Sequence, residues 1–396
     1  MDDEAIPERQ RPLASRYDAV IVGARCAGAA TAMLLARRGL RVLAVDKSPF
    51  GADTLSTHAL MRGGVLQLHR WGLLDAVREA GTPPVRTTSF HYGEETVAIP
   101  IEPRRGVDAL YAPRRTVLDP VLVAAARKAG AEVRHGVRLA GLVRNPGGRV
   151  CGAVVEDATG VTTEIGAGIV IGADGLRSRV ARLVGARAYR VGRHASALVY
   201  GYWSNLDRSG YHWYYRPGAS AGFIPTGDGL ACVFAAAPSR RFRRELRTDV
   251  PAAYHRVLAD ASLELARDLR RGTPVGGLRG FGGQVGFFRS ARGAGWALVG
   301  DAGYFKDPLT AHGMTDALRD AELLARAVAR GTEDALVEYE ATRDALSQDL
   351  FEATDAIASF NWDLEEVRGH HIALSKSMRR ETAALWSLDG ESPMAA

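Results

Sequence analysis

Cysteine is scarce. Cys26, Cys151 and Cys232 are the three in 396 residues. So sparse and odd a set makes no disulfide framework, and no C-x-x-C pair offers zinc a site, so a reducing compartment is expected and no metal. Lysine is scarcer relative to its charge class: only Lys47, Lys128, Lys306 and Lys376 stand among 51 basic residues. The rest is arginine, spread along the chain without a basic tract. The formal net charge of +6 therefore implies a modest pull on anionic ligands and no nucleic-acid surface. No apolar run approaches the ~18 residues of a membrane span. Residues 1–16 lack the apolar stretch of a secretory signal; they read as a flexible tail, and the protein as cytoplasmic with no membrane partner.

What is present is an ordinary globular balance, 46% hydrophobic and 24% charged, and a sharp opening pattern. YDAVIV (residues 17–22) reads as a strand, GARCAG (23–28) as a turn, AATAMLLARR (29–38) as a helix stopped by Gly39, and RVLAV (41–45) as a second strand ending at Asp46. This is a βαβ unit, the start of a doubly wound α/β fold. Helix is expected from about residue 59 to 81 and over 117–128. NPGG (145–148) predicts a hairpin between 137–144 and 149–156, with a further strand at 161–165 and a separate buried strand, GIVIG, at 168–172. Residues 186–289 turn β-rich and aromatic, with a helical insert at 251–271, before WALV (296–299) returns to the first domain. Helix dominates from 315 to 384. The expected division is a discontinuous nucleotide domain (17–82, 106–185, 290–330), an inserted β-rich substrate domain (83–105, 186–289) and a C-terminal helical region (331–396).

Three motifs carry chemistry. In the first turn, Gly23 and Gly28 allow a tight bend and close approach of a pyrophosphate to the helix N-terminus. The middle glycine place holds Arg25, which could extend over the diphosphate as a cation. Asp46 is placed to accept ribose hydroxyls. Cys26 reads as a small packed residue. The second motif is Asp174-Gly175 at the end of the 168–172 strand, with Ser178 and Arg182 following. The third is Gly300-Asp301, then Pro308, then Gly313 and Met314 opening a long helix whose N–H groups face a group that becomes negative.

In this order and spacing the motifs resemble the para-hydroxybenzoate hydroxylase-like (group A) flavoprotein hydroxylases, over roughly residues 17–330. The resemblance implies a glutathione-reductase-type FAD domain. It implies cofactor contacts from Gly23, Arg25, Ala27, Gly28, Asp46, Lys47, Arg115, Asp174, Gly175, Gly300, Asp301, Gly313 and Met314, with Asp301 on the ribityl chain and Arg115 against the phosphates or the ribose. Arg25 departs from the family pattern. No second Rossmann unit is found; the glycines of 276–286 read as strand ends or loop. The resemblance then implies that NAD(P)H binds transiently and reduces FAD, and that oxygen adds at the flavin C4a position. The hydroperoxide so formed hydroxylates or epoxidises an aromatic or polycyclic substrate. His312, His58, Arg62 and Pro308 are the candidates for catalytic roles at the ring. Trp203, Tyr211, Trp213, Tyr215 and Phe223 are the candidates for a substrate cavity, with plain sheet packing as the alternative. Lys306 is expected to cap or face solvent.

Two enzymatic rivals share the fold. A flavin-dependent halogenase requires a lysine soon after the second strand, and none lies between Lys47 and Lys128; the WxWxIP signature is also absent. A double-bond reductase of the geranylgeranyl-reductase type shares the second and third motifs and remains open. A flavin-loaded binding protein is a third, non-enzymatic alternative. The C-terminal helices are expected either to form a homodimer or to cover the active site.

Overall fold

The structure is a computed structural model that describes residues 16–246 and 249–388. The expected tail lies outside the described residues except Arg16, which begins the first strand.

Five strands run parallel in the order Glu132–His135, Val42–Asp46, Arg16–Val22, Thr162–Gly172 and Trp296–Leu298. Both faces of such a sheet are covered, so its strands read as unbroken apolar runs rather than alternating ones; Val42–Asp46 is buried at every position. One face carries the helix Cys26–Ala36, which packs against Gly313–Arg330 and Arg115–Lys128. This is the α/β nucleotide-binding domain, and its last parallel strand comes from residue 296 onward, so the domain is discontinuous in sequence.

The strands expected at 161–165 and 168–172 are one element, Thr162–Gly172. Its first part pairs antiparallel with Val150–Glu156, and its later part parallel with Arg16–Val22; Gly166 belongs to both registers. A strand that changes partner midway keeps its backbone extended, so the two expected elements are continuous. The expected hairpin is present, with Gly148 N–H donating to Asn145 C=O at 2.9 Å.

A seven-stranded sheet lies beside this domain, in the order Thr273–Phe281, Ser196–Ser204, Ala231–Pro238, Ala219–Pro225, Tyr211–Arg216, Thr87–Tyr92, Glu95–Pro100. The glycines from 276 are thus part of an edge strand and the loop after it. Alternation along these strands divides the side chains between two cores. Leu198, Tyr200 and Tyr202 join the large core with the nucleotide domain. Val199, Trp203 and Phe223 join a separate core under the helices Val250–Ala261 and Leu263–Leu269.

This parity corrects two expected substrate residues. Trp203 stacks on Tyr254 with ring centroids 5.6 Å apart, and Phe223 is sealed in the same outer core. Tyr211, Trp213 and Tyr215 do share the inner face, but they are packed rather than lining a cavity. Trp213 donates its indole N–H to Thr88 Oγ1 at 3.0 Å, and Tyr215 lies 4.4 Å from the His371 ring.

The helical C-terminus is three elements, Gly313–Arg330, Glu333–Ala358 and Leu364–Ser387. Thr332 caps the second, and a capping box of Asp363 and Glu366 starts the third, which packs back on Arg62–Arg70. No described helix is long and apolar enough to cross a membrane.

The outer position of Trp203 yields a separable effect. Trp203→Ala is expected to cost about 3–5 kcal/mol of stability, as for other large core truncations, measured by denaturant unfolding, with FAD affinity unchanged in a flavin-fluorescence titration.

Candidate active site

Where the parallel strands end, a cavity of about 730 Å³ opens between the two sheets. One arm is bounded by Gly23, Arg25, Ala27, Asp46 and Lys47; the other by Leu198, Tyr200, Phe281, Phe305, Lys306, Pro308 and Met314.

The glycine turn explains the first arm. Gly23 has φ +102°, and a Cβ there would lie 2.4 Å from the Ala173 carbonyl oxygen. A Cβ on Gly28 would lie 1.8 Å from the Gly23 carbonyl oxygen. Only glycine permits strand and helix to meet this closely. The helix that follows has no side-chain cap at its N-terminus, which leaves its first N–H groups for an anion. Asp46 does part of this work: its carboxylate accepts from Ala24 N–H at 2.9 Å and from Ser48 N–H at 2.8 Å, so it also fixes the turn.

Arg25 fills the middle glycine place without obstructing the turn, because its guanidinium swings to the cavity wall. It lies 3.7 Å from Asp119 and 3.5 Å from the Asp53 carbonyl, and its buried Nη1 has no hydrogen-bond partner. Arg115 is committed to Asp119 through a bidentate pair. The Cys26 thiol donates to the same carboxylate at 3.2 Å, and burial raises its pKa, so it stays a thiol and no nucleophile. Lys47, Arg177 and Arg182 line the cavity as exposed cations with no ion pair to described residues.

Asp174 has a structural duty as well. It accepts from Ser178 Oγ at 2.5 Å and from Arg179 N–H at 2.6 Å, which holds the short helix Arg179–Leu183 beside the mouth. Gly175 lines the wall directly, while Gly300 packs behind it against Ala27.

At the second arm Asp301 accepts no hydrogen bond from any described residue, yet its carboxylate lines the cavity. Burial pushes its pKa up to about 6, against the pull of Lys306 and Arg115. Gly313 and Met314 lie at the start of an 18-residue helix with no side-chain cap, and both face the same space. An unpartnered acceptor, an uncapped helix N-terminus, an orphaned arginine donor and a glycine cradle match the ribityl hydroxyls, ring edge and diphosphate of FAD. The residues present fit that cofactor.

Of the expected catalytic residues, Pro308 and His58 line the cavity. His58 is held at φ +69°, and its Nε2 meets Tyr202 Oη at 2.6 Å. Burial lowers its pKa to about 3, with Arg115 adding to the effect, so it acts as a neutral hydrogen-bonding group. Two expectations are corrected. Arg62 lies away from the cavity, its guanidinium spent on the carbonyls of Val107 (3.2 Å) and Glu102 (2.7 Å). His312 is behind the wall, with Nε2 2.8 Å from Glu381, and burial lowers its pKa.

The sequence reading also missed a buried polar cluster. Lys306, expected at the surface, is 5% exposed and pairs with Asp316. Arg319, fully buried, bonds Asp316 at 3.0 Å, Asp320 at 2.7 Å and Glu381 at 2.8 Å. Asp316, Arg319 and Asp320 were detectable as three charges on a helix face that must be inward; Glu381, 62 residues away from Arg319, was not. His312, Asp316 and Glu381 present ligand atoms within 4.8 Å of one another, but Arg319 and Lys306 already supply the positive charge there.

Residues 16–354 match the family described as FAD binding domain. The chain belongs to this FAD-binding family. It is an FAD-dependent oxidoreductase. It is similar to a menaquinone reductase of Mycolicibacterium smegmatis, 29% identical over 80% of this chain and 77% of the relative. It is also similar to aklavinone 12-hydroxylase RdmE of Streptomyces purpurascens, 30% identical over 53% of this chain and 43% of the relative. The fold is shared with the flavin-dependent brominase Bmp2, with a TM-score of 0.80 at 19% identity over 93% of each chain; that likeness is of fold alone.

Two measurements test the site. Asp301→Ala is expected to weaken FAD binding about 10- to 100-fold, the worth of hydrogen bonds to a charged group at ~1.5–3 kcal/mol, read from the visible spectrum and a fluorescence titration. Because the Asp301 pKa is raised on folding, the apoprotein gains a proton as it folds. The Asp301 contribution to apoprotein stability is therefore fully present below the unfolded value of about 4 and is lost as pH rises to about 6. Asp301→Asn is expected to flatten that fall in apoprotein melting curves.

Proposed function

We propose that this protein is an FAD-dependent, NAD(P)H-consuming monooxygenase that hydroxylates or epoxidises an apolar aromatic or polycyclic substrate. The observation that carries the reading is the continuity of one cavity, from the glycine turn to an apolar arm walled by Leu198, Tyr200, Phe281 and Phe305. A ligand there shares a water-poor space with the reactive end of the cofactor. When bound and reduced, FAD supplies two electrons and the activation of molecular oxygen.

The chain's own residues do the rest. Arg25 and the N-terminus of Cys26–Ala36 hold the diphosphate. Gly313 and Met314 offer N–H groups to the ring edge as it gains negative charge. Tyr200 fixes the loop before His58 by accepting from Ser56 N–H at 3.2 Å, and the His58–Tyr202 pair gives a substrate hydroxyl or carbonyl a neutral anchor. Arg177 and Arg182, exposed at the mouth, supply charge for the phosphates of a nicotinamide co-substrate that comes and goes.

One observation favours a second reading, reduction of a substrate double bond: the relative matched over four-fifths of this chain is named a reductase. Oxygen separates the two. Purified FAD-loaded protein, screened with aromatic and polycyclic compounds, is expected to oxidise NAD(P)H faster with substrate and to consume oxygen in step with product. Undiminished product formation under anaerobic conditions would overturn the monooxygenase reading in favour of the reductase.

A further inference from the structure

Strand Ser196–Ser204 supplies one wall of the apolar arm through Leu198 and Tyr200, and the loop after Lys306 supplies another through Pro308. The two segments are 111 residues apart in sequence, and one buried side chain joins them. Asp307 is 3% exposed. Its Oδ2 accepts from Ser196 N–H at 2.7 Å. Its Oδ1 accepts from Ser196 Oγ at 2.6 Å and from Leu309 N–H at 3.0 Å. All three donors are uncharged, and no described cation forms an ion pair with this carboxylate.

Capping alone does not account for this set. The turn Pro308–Thr310 uses only the Leu309 N–H bond as its cap; the other two donors belong to the substrate sheet. A buried carboxylate is costly unless its oxygens are hydrogen-bonded, and an ionised acceptor makes the stronger bonds. An asparagine would set its NH2 group against a backbone N–H whichever way the amide turned. Position also matters. Ser196, Leu198 and Tyr200 share one face of their strand, so Asp307 grips it on the cavity side, roughly 7 Å before Leu198. Pro308 follows Asp307 directly, with its φ restricted by its ring, and the turn closes at Ala311 with φ +50°. Helix Glu333–Ala358 fastens the same joint from behind. Thr354 Oγ1 meets Thr310 Oγ1 at 3.1 Å, and Asp355 accepts from the N–H groups of Arg193 (2.9 Å) and His194 (3.0 Å).

We propose that Asp307 is a positioning residue that sets the spacing between the Pro308 wall and the Leu198–Tyr200 wall of the apolar arm. Through it the ring loop and the substrate strand keep one register around a bound flavin. With the tie cut, each wall keeps its own element, but the gap between them is no longer fixed, and small solutes reach the ring end. This rests on FAD binding and on the shape of the arm. It does not rest on the oxygen chemistry, so it stands or falls separately from the monooxygenase reading.

The test compares Asp307→Ala, Asp307→Asn and Ser196→Ala with the unmodified protein. Hydrogen–deuterium exchange is measured on the apoprotein, so it reports on the tie whichever reaction the flavin performs. Uptake is expected to rise together over residues 194–200 and 305–312, while the glycine turn at 23–28 keeps its protection. The variants are expected still to bind FAD in a fluorescence titration, because Gly23, Arg25, Gly28 and Asp301 are untouched. The bound flavin is expected to lose visible circular dichroism and to be quenched several-fold more strongly by iodide. The effect is expected to grow from Ser196→Ala through Asp307→Asn to Asp307→Ala. Ser196→Ala keeps the carboxylate and both backbone bonds, so it decides the matter if the Asp307 variants misfold. FAD-loaded variants with the dichroism and iodide quenching of the unmodified protein overturn the assignment. So does exchange that rises over 305–312 alone, which is the result of a simple cap.

Discussion

A guanidinium with no access to water organises the ring end of the cavity. Arg319 is fully buried among Asp316, Asp320 and Glu381, and it also donates to Ser347 Oγ at 2.8 Å. Three helices meet on this one side chain. Taking a charge out of water is costly, and such a cluster is only tolerable while every partner is present; removal of one leaves an uncompensated charge worth about 3–5 kcal/mol. The N-terminus of Gly313–Arg330 is thereby clamped from behind, which fixes where Gly313 and Met314 point.

The diphosphate end uses a different device. There the constraint is steric: Gly28 fits against the Gly23 carbonyl only because it has no side chain, and Asp46 ties the turn to the neighbouring strand. Arg25 shows how much freedom remains. A large residue is accepted in the middle of the turn because its side chain leaves toward Asp119 and Asp53, and the pocket gains an orphaned donor where a glycine would have given only space.

Much of this was legible in the sequence, because local pattern carried it. The βαβ opening, the hairpin at 145–148, the aromatic strands and the positions of Asp301 and Gly313 all follow from glycines, turn residues and strand periodicity within short windows. What was lost depended on contacts between distant segments. Period-2 alternation put Tyr211, Trp213 and Tyr215 on one face, but nothing local showed that His371 of the last helix would pack on Tyr215 or that Thr88 would take the Trp213 indole N–H. Trp203 was placed on the wrong side of its sheet because the helical insert, which gives the outer face a core of its own, has no cavity signature. Lys306 read as a surface residue by type, since a buried lysine is rare and its counter-charges lie on helices that follow. The hydrogen-bonding duties of Asp46 and Asp174 were likewise hidden, because a motif names a residue and not every bond it makes.

The order in which the chain leaves the ribosome matters for a protein built this way. The diphosphate cradle draws on residues from Gly23 to Ala173, and Arg319 has Asp316 and Asp320 on its own helix but gains its third carboxylate only with Glu381. A chain ending before residue 381 therefore leaves the cluster behind Gly313 and Met314 one carboxylate short, so the last helix bears on the ring end of the cavity although none of its residues lines it.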